Sequence, residues 1–156
     1  MSLDEVIFVE ENGVGIITLN RPERLNAITH PMVKKINHHL NVWEKNDGIK
    51  CIIIEGAGDR SFCAGGDVVK LRKEVLEAGG PPTDLSRSFF YDEYTLNYKI
   101  SNYNKPFIAL INGFTMGGGV GISMHGSHVV ASEKTMFAMP ETAIGLFPDV
   151  GGGWLL

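Results

Sequence analysis

The sequence has 156 residues, of which 44% are hydrophobic and 21% are charged, and its net charge at pH 7 is −4. This length suits about one domain, and the composition excludes a mainly disordered chain, because disorder requires few apolar residues and a large net charge. The acidic balance argues against a nucleic-acid-binding domain, whose pI usually lies above about 9. No apolar run approaches the ~18 residues that a membrane span needs, so we expect neither nucleic acid nor membrane as a partner.

Short runs rich in Val and Ile predict the strands of the chain. In chain order they are Val6–Val9, Val14–Leu19, Lys50–Glu55, Phe107–Ile111, Val129–Ala131 and Met136–Ala138. The first two runs are separated by Glu10–Gly13, which favours a hairpin or two adjacent strands. The uninterrupted apolar run at Lys50–Glu55 is typical of a strand buried on both faces.

Apolar residues spaced three and four apart predict helices between these strands. The predicted helices are Met32–Trp43, Val68–Leu76 with Asp67 as its N-cap, and Ser86–Asn102. Strands that alternate with helices indicate an α/β fold with βαβ-type crossovers. We expect a single domain over residues 1–156.

The sequence ends on an apolar segment, Gly153–Leu156, that has no helix cap, stop signal or polar tail. A complete domain rarely ends in this way, so we expect the chain to be a fragment, or the ordered part, of a longer protein. The alternative is an apolar end that packs into the core.

Glycines mark the first candidate site. Ten of the 19 glycines lie between Gly113 and Gly153. Two glycine-bearing turns, Ser61–Asp67 and Gly113–Gly121, each follow a predicted strand at a strand-to-helix junction. Backbone N–H groups at a helix start are unpaired, and two that converge on one point form an oxyanion hole. The alternative is that these glycines only permit tight turns and close packing. Neither turn has the G-x-G-x-x-G spacing of a dinucleotide site, and the chain has no P-loop.

A third segment, Met139–Gly153, places two carboxylates eight positions apart, Glu141 and Asp149, among mainly apolar residues. Apolar surroundings raise the pKa of a carboxyl group and suit it to proton transfer near neutral pH. The alternative is that Glu141 caps a turn and Asp149 faces water.

The two cysteines and the histidines His125 and His128 form no recognisable site. Cys51 and Cys63 lack the CxxC spacing, which favours a reducing compartment without a disulfide framework. His125 and His128 form an HxxH pair without a third ligand at a recognisable spacing, so we expect no metal. Cys63 lies in the first glycine turn without an adjacent base, so a cysteine nucleophile is only a minor alternative.

Taken together, these segments resemble the crotonase (enoyl-CoA hydratase/isomerase) superfamily. The resemblance is carried by Asn20–Pro22, Asn26-Ala27, Phe62–Asp67, Asn112–Ser123 and Met139–Gly153. It implies a fold of repeated ββα units whose C-terminal helical part is missing here. It also implies a CoA thioester held between the two glycine turns, with an oxyanion hole formed by the N–H groups of Gly66 and Gly118.

The resemblance implies specific roles for the carboxylates. Hydratases of the superfamily carry one catalytic glutamate just after the triple glycine, where this chain has Gly121, and a second that matches Glu141. Asp149 stands where many relatives have glycine. The combination of Thr115–Gly121, Pro140–Gly153 and Phe89–Tyr94 resembles the 3-hydroxyisobutyryl-CoA hydrolases, in which Glu93 matches a substrate-associated position. We therefore expect Glu141, Asp149, Gly66 and Gly118 to be catalytic.

The same resemblance implies the substrate contacts and the setting. Besides Glu93, Gly118, Glu141 and Asp149, we expect Ala64 and Arg24 to bind substrate, and Arg21 and Arg24 are candidates for the CoA phosphates. The expected reaction is hydrolysis of a short branched 3-hydroxyacyl-CoA in valine breakdown, without a cofactor, because CoA is part of the substrate. The location implied is mitochondrial in a eukaryote and cytoplasmic otherwise, and a homo-oligomer is left open. The alternatives are a hydratase or isomerase of the superfamily, or a non-catalytic subunit with this fold.

Overall fold

A computed structural model of the chain describes residues 4–155. The strands within these residues are β1 Val6–Glu11, β2 Val14–Leu19, β3 Cys51–Gly56, β4 Ser61–Cys63, β5 Phe107–Ile111, β6 Phe114–Met116, β7 His128–Ala131 and β8 Met136–Ala138. The α-helices are α1 His30–Glu44, α2 Val68–Glu77, α3 Asp84–Ser101, α4 Gly118–Ser123 and α5 Gly152–Leu155, and Glu141–Ile144 forms a 3₁₀ helix. The α/β fold expected from the sequence is confirmed.

The larger sheet has the strand order β1-β2-β3-β5-β7 within the described residues. β1 and β2 form the predicted antiparallel hairpin around Asn12-Gly13, and β2, β3, β5 and β7 are parallel. Ile52 and Ile54 of β3 are completely buried, whereas Ile53 on the opposite face is only partly buried. The prediction that β3 is buried on both faces is therefore wrong, because one face of this sheet is incompletely covered.

A second, smaller sheet was not predicted. β4, β6 and β8 are three residues each and pair in parallel in the order β4-β6-β8. Of these, only β8 was expected as a strand, and β4 and β6 lie inside segments interpreted as glycine turns. Strands this short do not show the alternation that identifies a strand in a sequence.

The helices α1 and α3 begin at residues whose side chains cap them, whereas α2 does not. The side chain of Thr29 accepts a hydrogen bond from the N–H of Met32 at the start of α1, and Thr83 and Ser86 form a capping box at the start of α3. Asp67 stands at the N-cap position of α2 but makes no capping hydrogen bond. Its carboxylate instead pairs with Arg21 at 3.0 Å, so Asp67 occupies the predicted N-cap position without bonding the helix.

The chain alternates between the two sheets. Each of β3, β5 and β7 in the larger sheet is followed by one strand of the smaller sheet, and a helical segment comes next. These are the ββα units that the resemblance implied. Because β4, β6 and β8 are parallel neighbours, the three loops that leave their carboxyl ends meet at one edge, the place where α/β sheets bind ligands.

No helix among residues 4–155 combines the length and the apolar character required to cross a bilayer.

Candidate active site

A cleft of about 220 Å³ lies at the carboxyl ends of the three short strands. Its walls come from the two glycine turns, from the middle of α3 and from the segment that follows β8. Six of the residues expected from the sequence line it: Ala64, Gly66, Glu93, Gly118, Glu141 and Asp149. The fold thus brings together residues that are up to 85 positions apart in the chain.

Two backbone amides face each other across the mouth of the small sheet. Ile28 accepts a hydrogen bond from the N–H of Asp67 and donates one to the carbonyl of Gly65, which leaves the N–H of Gly66 between them without a backbone acceptor among residues 4–155. Gly118 is the first residue of α4, so its N–H has no partner within the helix. The nitrogen of Gly66 is 3.3 Å from the point where a Cβ on Gly118 would lie. The two unpaired donors are therefore neighbours.

Glu93 projects from α3 against Gly118. Its residue surface is only 2% exposed, and a Cβ on Gly118 would overlap its Oε1. Burial, followed by the charge of Asp149, raises the pKa of Glu93 to about 8. At pH 7 this carboxyl group is therefore mostly protonated and able to donate a hydrogen bond.

Glu141 begins the 3₁₀ helix after β8 and is 7% exposed. Its Oε1 lies beside Gly117, 2.7 Å from the position of a Cβ there. Its Oε2 is buried and has no hydrogen-bond partner among the described residues. Burial is the main cause that raises the pKa of Glu141, and the charge of Asp149 adds to it. Glu141 does not cap this turn, because no side chain makes a capping hydrogen bond at the start of the 3₁₀ helix.

Asp149 completes the set of three carboxyl groups in the cleft. Its Oδ2 accepts a hydrogen bond of 2.7 Å from the hydroxyl of Tyr94, so it does not simply face water. Chemically, the cleft offers two amide donors for a developing negative charge, and buried carboxyl groups that can take up and give back protons near neutral pH.

The basic residues expected near CoA differ in their environment. Arg21 contacts Glu5 and Asp67 and donates to the carbonyl of Ala27, so it serves the structure of the loop. Arg24 lies outside the carboxylate cleft, in a neighbouring groove of about 390 Å³ that also contacts Gly66. Lys70 and Lys73 of α2 line the same groove and were missed from the sequence, because an exposed i, i+3 pair of lysines on an amphipathic helix carries no motif.

A larger cavity of about 440 Å³ adjoins the cleft and shares Asp149 with it. Asn97 lines it, is 5% exposed, and has neither terminal atom of its amide hydrogen-bonded within residues 4–155. The amide fills the space beside Gly121, where a Cβ would lie 2.7 Å from Nδ2 of Asn97 and 2.8 Å from Cβ of Val150. A side chain at position 121 would therefore require Asn97 and Val150 to shift.

The remaining candidate groups have structural roles. Burial raises the pKa of the Cys63 thiol to about 12, which opposes a nucleophilic role. The ring of His125 bonds the carbonyl of Val150, and that of His128 bonds Ser127. In the part of the chain that the structure describes, no three His, Cys, Asp or Glu side chains form a cluster that could hold a metal ion.

Comparison with known proteins adds relatives of two kinds. The sequence profile of the enoyl-CoA hydratase/isomerase family matches residues 14–156. The chain is 54% identical over 152 residues to the mitochondrial 3-hydroxyisobutyryl-CoA hydrolase of Danio rerio, with 97% of this chain and 39% of that protein covered. It is 50% identical over 153 residues to the protein of the same name from Homo sapiens, with 98% and 39% covered. The chain thus spans about two fifths of the length of these relatives.

Solved structures share the fold. A carnitinyl-CoA dehydratase from Mycobacterium thermoresistibile superposes with a TM-score of 0.92 at 42% identity, covering 97% of this chain and 44% of that one. An enoyl-CoA hydratase from Rhodobacter sphaeroides gives a TM-score of 0.88 at 38% identity, covering 96% and 43%. These similarities agree with the ββα architecture.

Proposed function

Because the chain belongs to the enoyl-CoA hydratase/isomerase family of the crotonase superfamily, we propose that the protein that contains it hydrolyses a short branched 3-hydroxyacyl-CoA thioester. The proposed reaction converts 3-hydroxyisobutyryl-CoA and water to 3-hydroxyisobutyrate and CoA, a step of valine breakdown. The relatives named 3-hydroxyisobutyryl-CoA hydrolase, at 54% and 50% identity, support this substrate. Their names also support a mitochondrial location in a eukaryotic cell.

The observation that carries the proposal is that Glu141 lines the same cleft as the amides of Gly66 and Gly118, for which the described residues supply no acceptor. The thioester carbonyl oxygen would accept hydrogen bonds from the N–H groups of Gly66 and Gly118. Attack on the carbonyl carbon places negative charge on this oxygen, and two fixed donors in a site that excludes water stabilise that charge. The buried, unpaired Oε2 of Glu141 is available for the attacking group.

Glu141 has two chemically balanced roles in this reaction. As a general base, it takes a proton from water while the water oxygen bonds to the carbonyl carbon; the C–S bond then breaks and the thiolate of CoA receives a proton. As a nucleophile, its carboxylate forms an anhydride with the acyl group and releases CoA, and water then cleaves the anhydride. A raised pKa makes the ionised carboxylate a stronger base in either case.

The other carboxyl groups would recognise the acyl end of the substrate or assist the leaving group. In this proposal Asp149 accepts a hydrogen bond from the 3-hydroxyl group or assists protonation of the departing thiolate, and Glu93, protonated at neutral pH, supplies a second polar contact. Arg24, with Lys70 and Lys73 in the adjoining groove, would face the CoA phosphates. CoA enters as part of the substrate, and the proposal involves no separate cofactor.

A second candidate function is hydration or isomerisation of an enoyl-CoA, which the names of the two solved structures favour. The sequence carries glycine at position 121, where the resemblance implies the first catalytic glutamate of a hydratase. The amide of Asn97 and the side chain of Val150 occupy the space that this glutamate would need. This steric argument favours hydrolysis over hydration.

The test uses the purified full-length protein with 3-hydroxyisobutyryl-CoA and, separately, an enoyl-CoA. Release of free thiol reports hydrolysis, and loss of the double-bond absorbance reports hydration. We expect thiol release from the 3-hydroxyacyl-CoA and a loss of about 10²–10⁴-fold in the Glu141→Gln variant. Glu133→Gln, which removes an exposed carboxylate, is the matched control. Full thioesterase activity in Glu141→Gln would refute the proposed mechanism, and double-bond loss without thiol release would favour the second candidate.

A further inference from the structure

Tyr94 connects α3 to the segment that carries Asp149. Its hydroxyl donates the 2.7 Å hydrogen bond to Oδ2 of Asp149, across 55 positions of the chain. Tyr94 follows Glu93 directly, so α3 supplies both a wall of the cleft and this tether. Tyr94 lines the larger cavity, and Asp149 lines both the cavity and the cleft. The hydrogen bond therefore lies at the boundary between the two spaces.

The residues that precede Asp149 are weakly packed, whereas Val150, which follows it, is buried and its carbonyl is bonded by the ring of His125. Ile144 and Phe147, the large apolar side chains that precede Asp149, are mostly exposed. Among residues 4–155, the hydrogen bond from Tyr94 is the one that the carboxylate of Asp149 accepts. Burial and the contact with Asp149 both raise the pKa of the Tyr94 hydroxyl, so the hydroxyl keeps its proton and remains a donor at neutral pH.

We propose that Tyr94 is a positioning residue, whose hydroxyl fixes Oδ2 of Asp149 so that Oδ1 is presented to the acyl end of the substrate. This inference rests on the proposed function and adds to it the group that orients Asp149. The consequence is chemical selectivity. An Asp149 held in one orientation accepts a hydrogen bond from a 3-hydroxyl group at a fixed place, and an acyl chain without this hydroxyl gains nothing from it.

The first experiment measures this selectivity with two thioesters, 3-hydroxyisobutyryl-CoA and isobutyryl-CoA, on the full-length protein. The variant is Tyr94→Phe, which removes the hydroxyl and keeps the ring. The matched control is Tyr98→Phe, because Tyr98 lies one turn further along α3, is 72% exposed and donates no side-chain hydrogen bond among the described residues.

We expect the ratio of kcat/KM for the hydroxylated over the unhydroxylated thioester to fall about 10-fold in Tyr94→Phe. The control should keep the ratio of the native protein. A general loss of folded protein would lower both rates together and leave this ratio unchanged. A native ratio in Tyr94→Phe overturns the inference.

The second experiment does not depend on hydrolysis. The carboxyl of Glu93 faces Asp149 and shares the cleft with Glu141. It also lies near the Cys63 thiol, which stays neutral because burial raises its pKa to about 12. The charge of Asp149 raises the pKa of Glu93. Loss of the hydrogen bond from Tyr94 to Asp149 should therefore lower the pKa of Glu93. The measurement is a pH titration of the ¹³C-labelled Glu93 carboxyl by NMR in the native protein, Tyr94→Phe and Tyr98→Phe.

The two experiments distinguish a failure of this inference from a failure of the proposed function. If Glu93 titrates identically in Tyr94→Phe and in the native protein, the tether is refuted, whatever the protein hydrolyses. If the Glu93 titration shifts but the native protein releases CoA from neither thioester, the proposed function fails and the tether stands.

Discussion

The five-stranded sheet and the three-stranded sheet differ in the length of their strands and in the segments to which those strands lead. The strands of the larger sheet are four to six residues long and supply fully buried core residues such as Ile17 and Ile54. The strands of the smaller sheet are three residues long, and each leads into a loop that enters the cleft. The larger sheet therefore accounts for much of the core, whereas the smaller sheet aligns the candidate site.

This difference indicates that the position of the site depends on close backbone packing and backbone hydrogen bonds more than on hydrophobic burial. α4 packs on β4 so closely that a Cβ on Gly119 would overlap the carbonyl of Cys63. The loop Leu25–Ile28 bonds the backbone of Ala64, Gly65 and Asp67, which fixes the first glycine turn. Substitutions at the edge of the smaller sheet should consequently lower activity per folded molecule. Substitutions in the core of the larger sheet should lower stability and leave that activity unchanged.

The largest effect is expected at the edge of the smaller sheet. In Gly118→Ala the new methyl group would displace Glu93 and crowd the nitrogen of Gly66. The variant keeps the N–H group of residue 118 but crowds the two amides, and because loss of one oxyanion donor costs about 10²–10³-fold in rate, we expect kcat per folded molecule to fall by up to this factor. Overpacking against the buried Glu93 should also lower the melting temperature.

Gly153→Ala is the matched control for this variant, because a Cβ there meets nothing within 4 Å. Steady-state thioesterase kinetics and thermal melting together make the measurement. A Gly118→Ala protein with native kcat would show that crowding the nitrogen of Gly66 and displacing Glu93 do not affect the reaction.

A core substitution in the larger sheet should have the opposite outcome. Ile54→Ala removes a completely buried side chain from β3, and such truncations cost about 2–5 kcal/mol of unfolding free energy. We expect this loss in urea titrations, with kcat per folded molecule unchanged.

Ile53→Ala, on the partly buried face of the same strand, should cost less. Equal losses at the two positions would contradict the one-sided burial of this sheet.

The smallest effect is a pH dependence of stability that originates in Glu93. The carboxyl has a pKa of about 8 in the folded protein and an ordinary value of 4.5. The native state therefore holds a proton that the unfolded chain releases, and Glu93 makes stability fall as the pH rises from about 4.5 to 8. Between pH 6 and pH 7 this fall amounts to about 1 kcal/mol.

Glu93→Gln should remove that fall, so the unfolding free energy of the variant relative to the native protein should increase from pH 6 to pH 7. Glu11→Gln, at an exposed position, should follow the native protein. Parallel curves for Glu93→Gln and the native protein would show that Glu93 titrates normally.

The sequence predicted most of the regular elements, because their residues repeat with a clear period. Val33, Ile36, Leu40 and Trp43 are buried along α1 as their spacing indicated, and β2 and β5 have the predicted bounds. The bounds of β4 and β6 could not be read from periodicity, since three residues establish none. The smaller sheet became visible only in the structure.

The candidate site was predicted in part. The motifs and the resemblance identified Gly66, Gly118, Glu93, Glu141 and Asp149, and the structure places them in one cleft; their catalytic roles remain predictions. The partners of these residues were not predictable. Tyr94 contacts Asp149 across 55 positions, and the pKa of Glu93 depends on burial that only the packed fold creates.

The tight fit of the Asn97 amide beside Gly121 has a consequence for how this molecule can evolve. A side chain acquired at position 121 would collide with Asn97 and Val150, and overpacking of this kind is itself destabilising. A descendant that gains a side chain at this position therefore keeps its stability only if the groups at 97 and 150 both give way, so these three positions should change together.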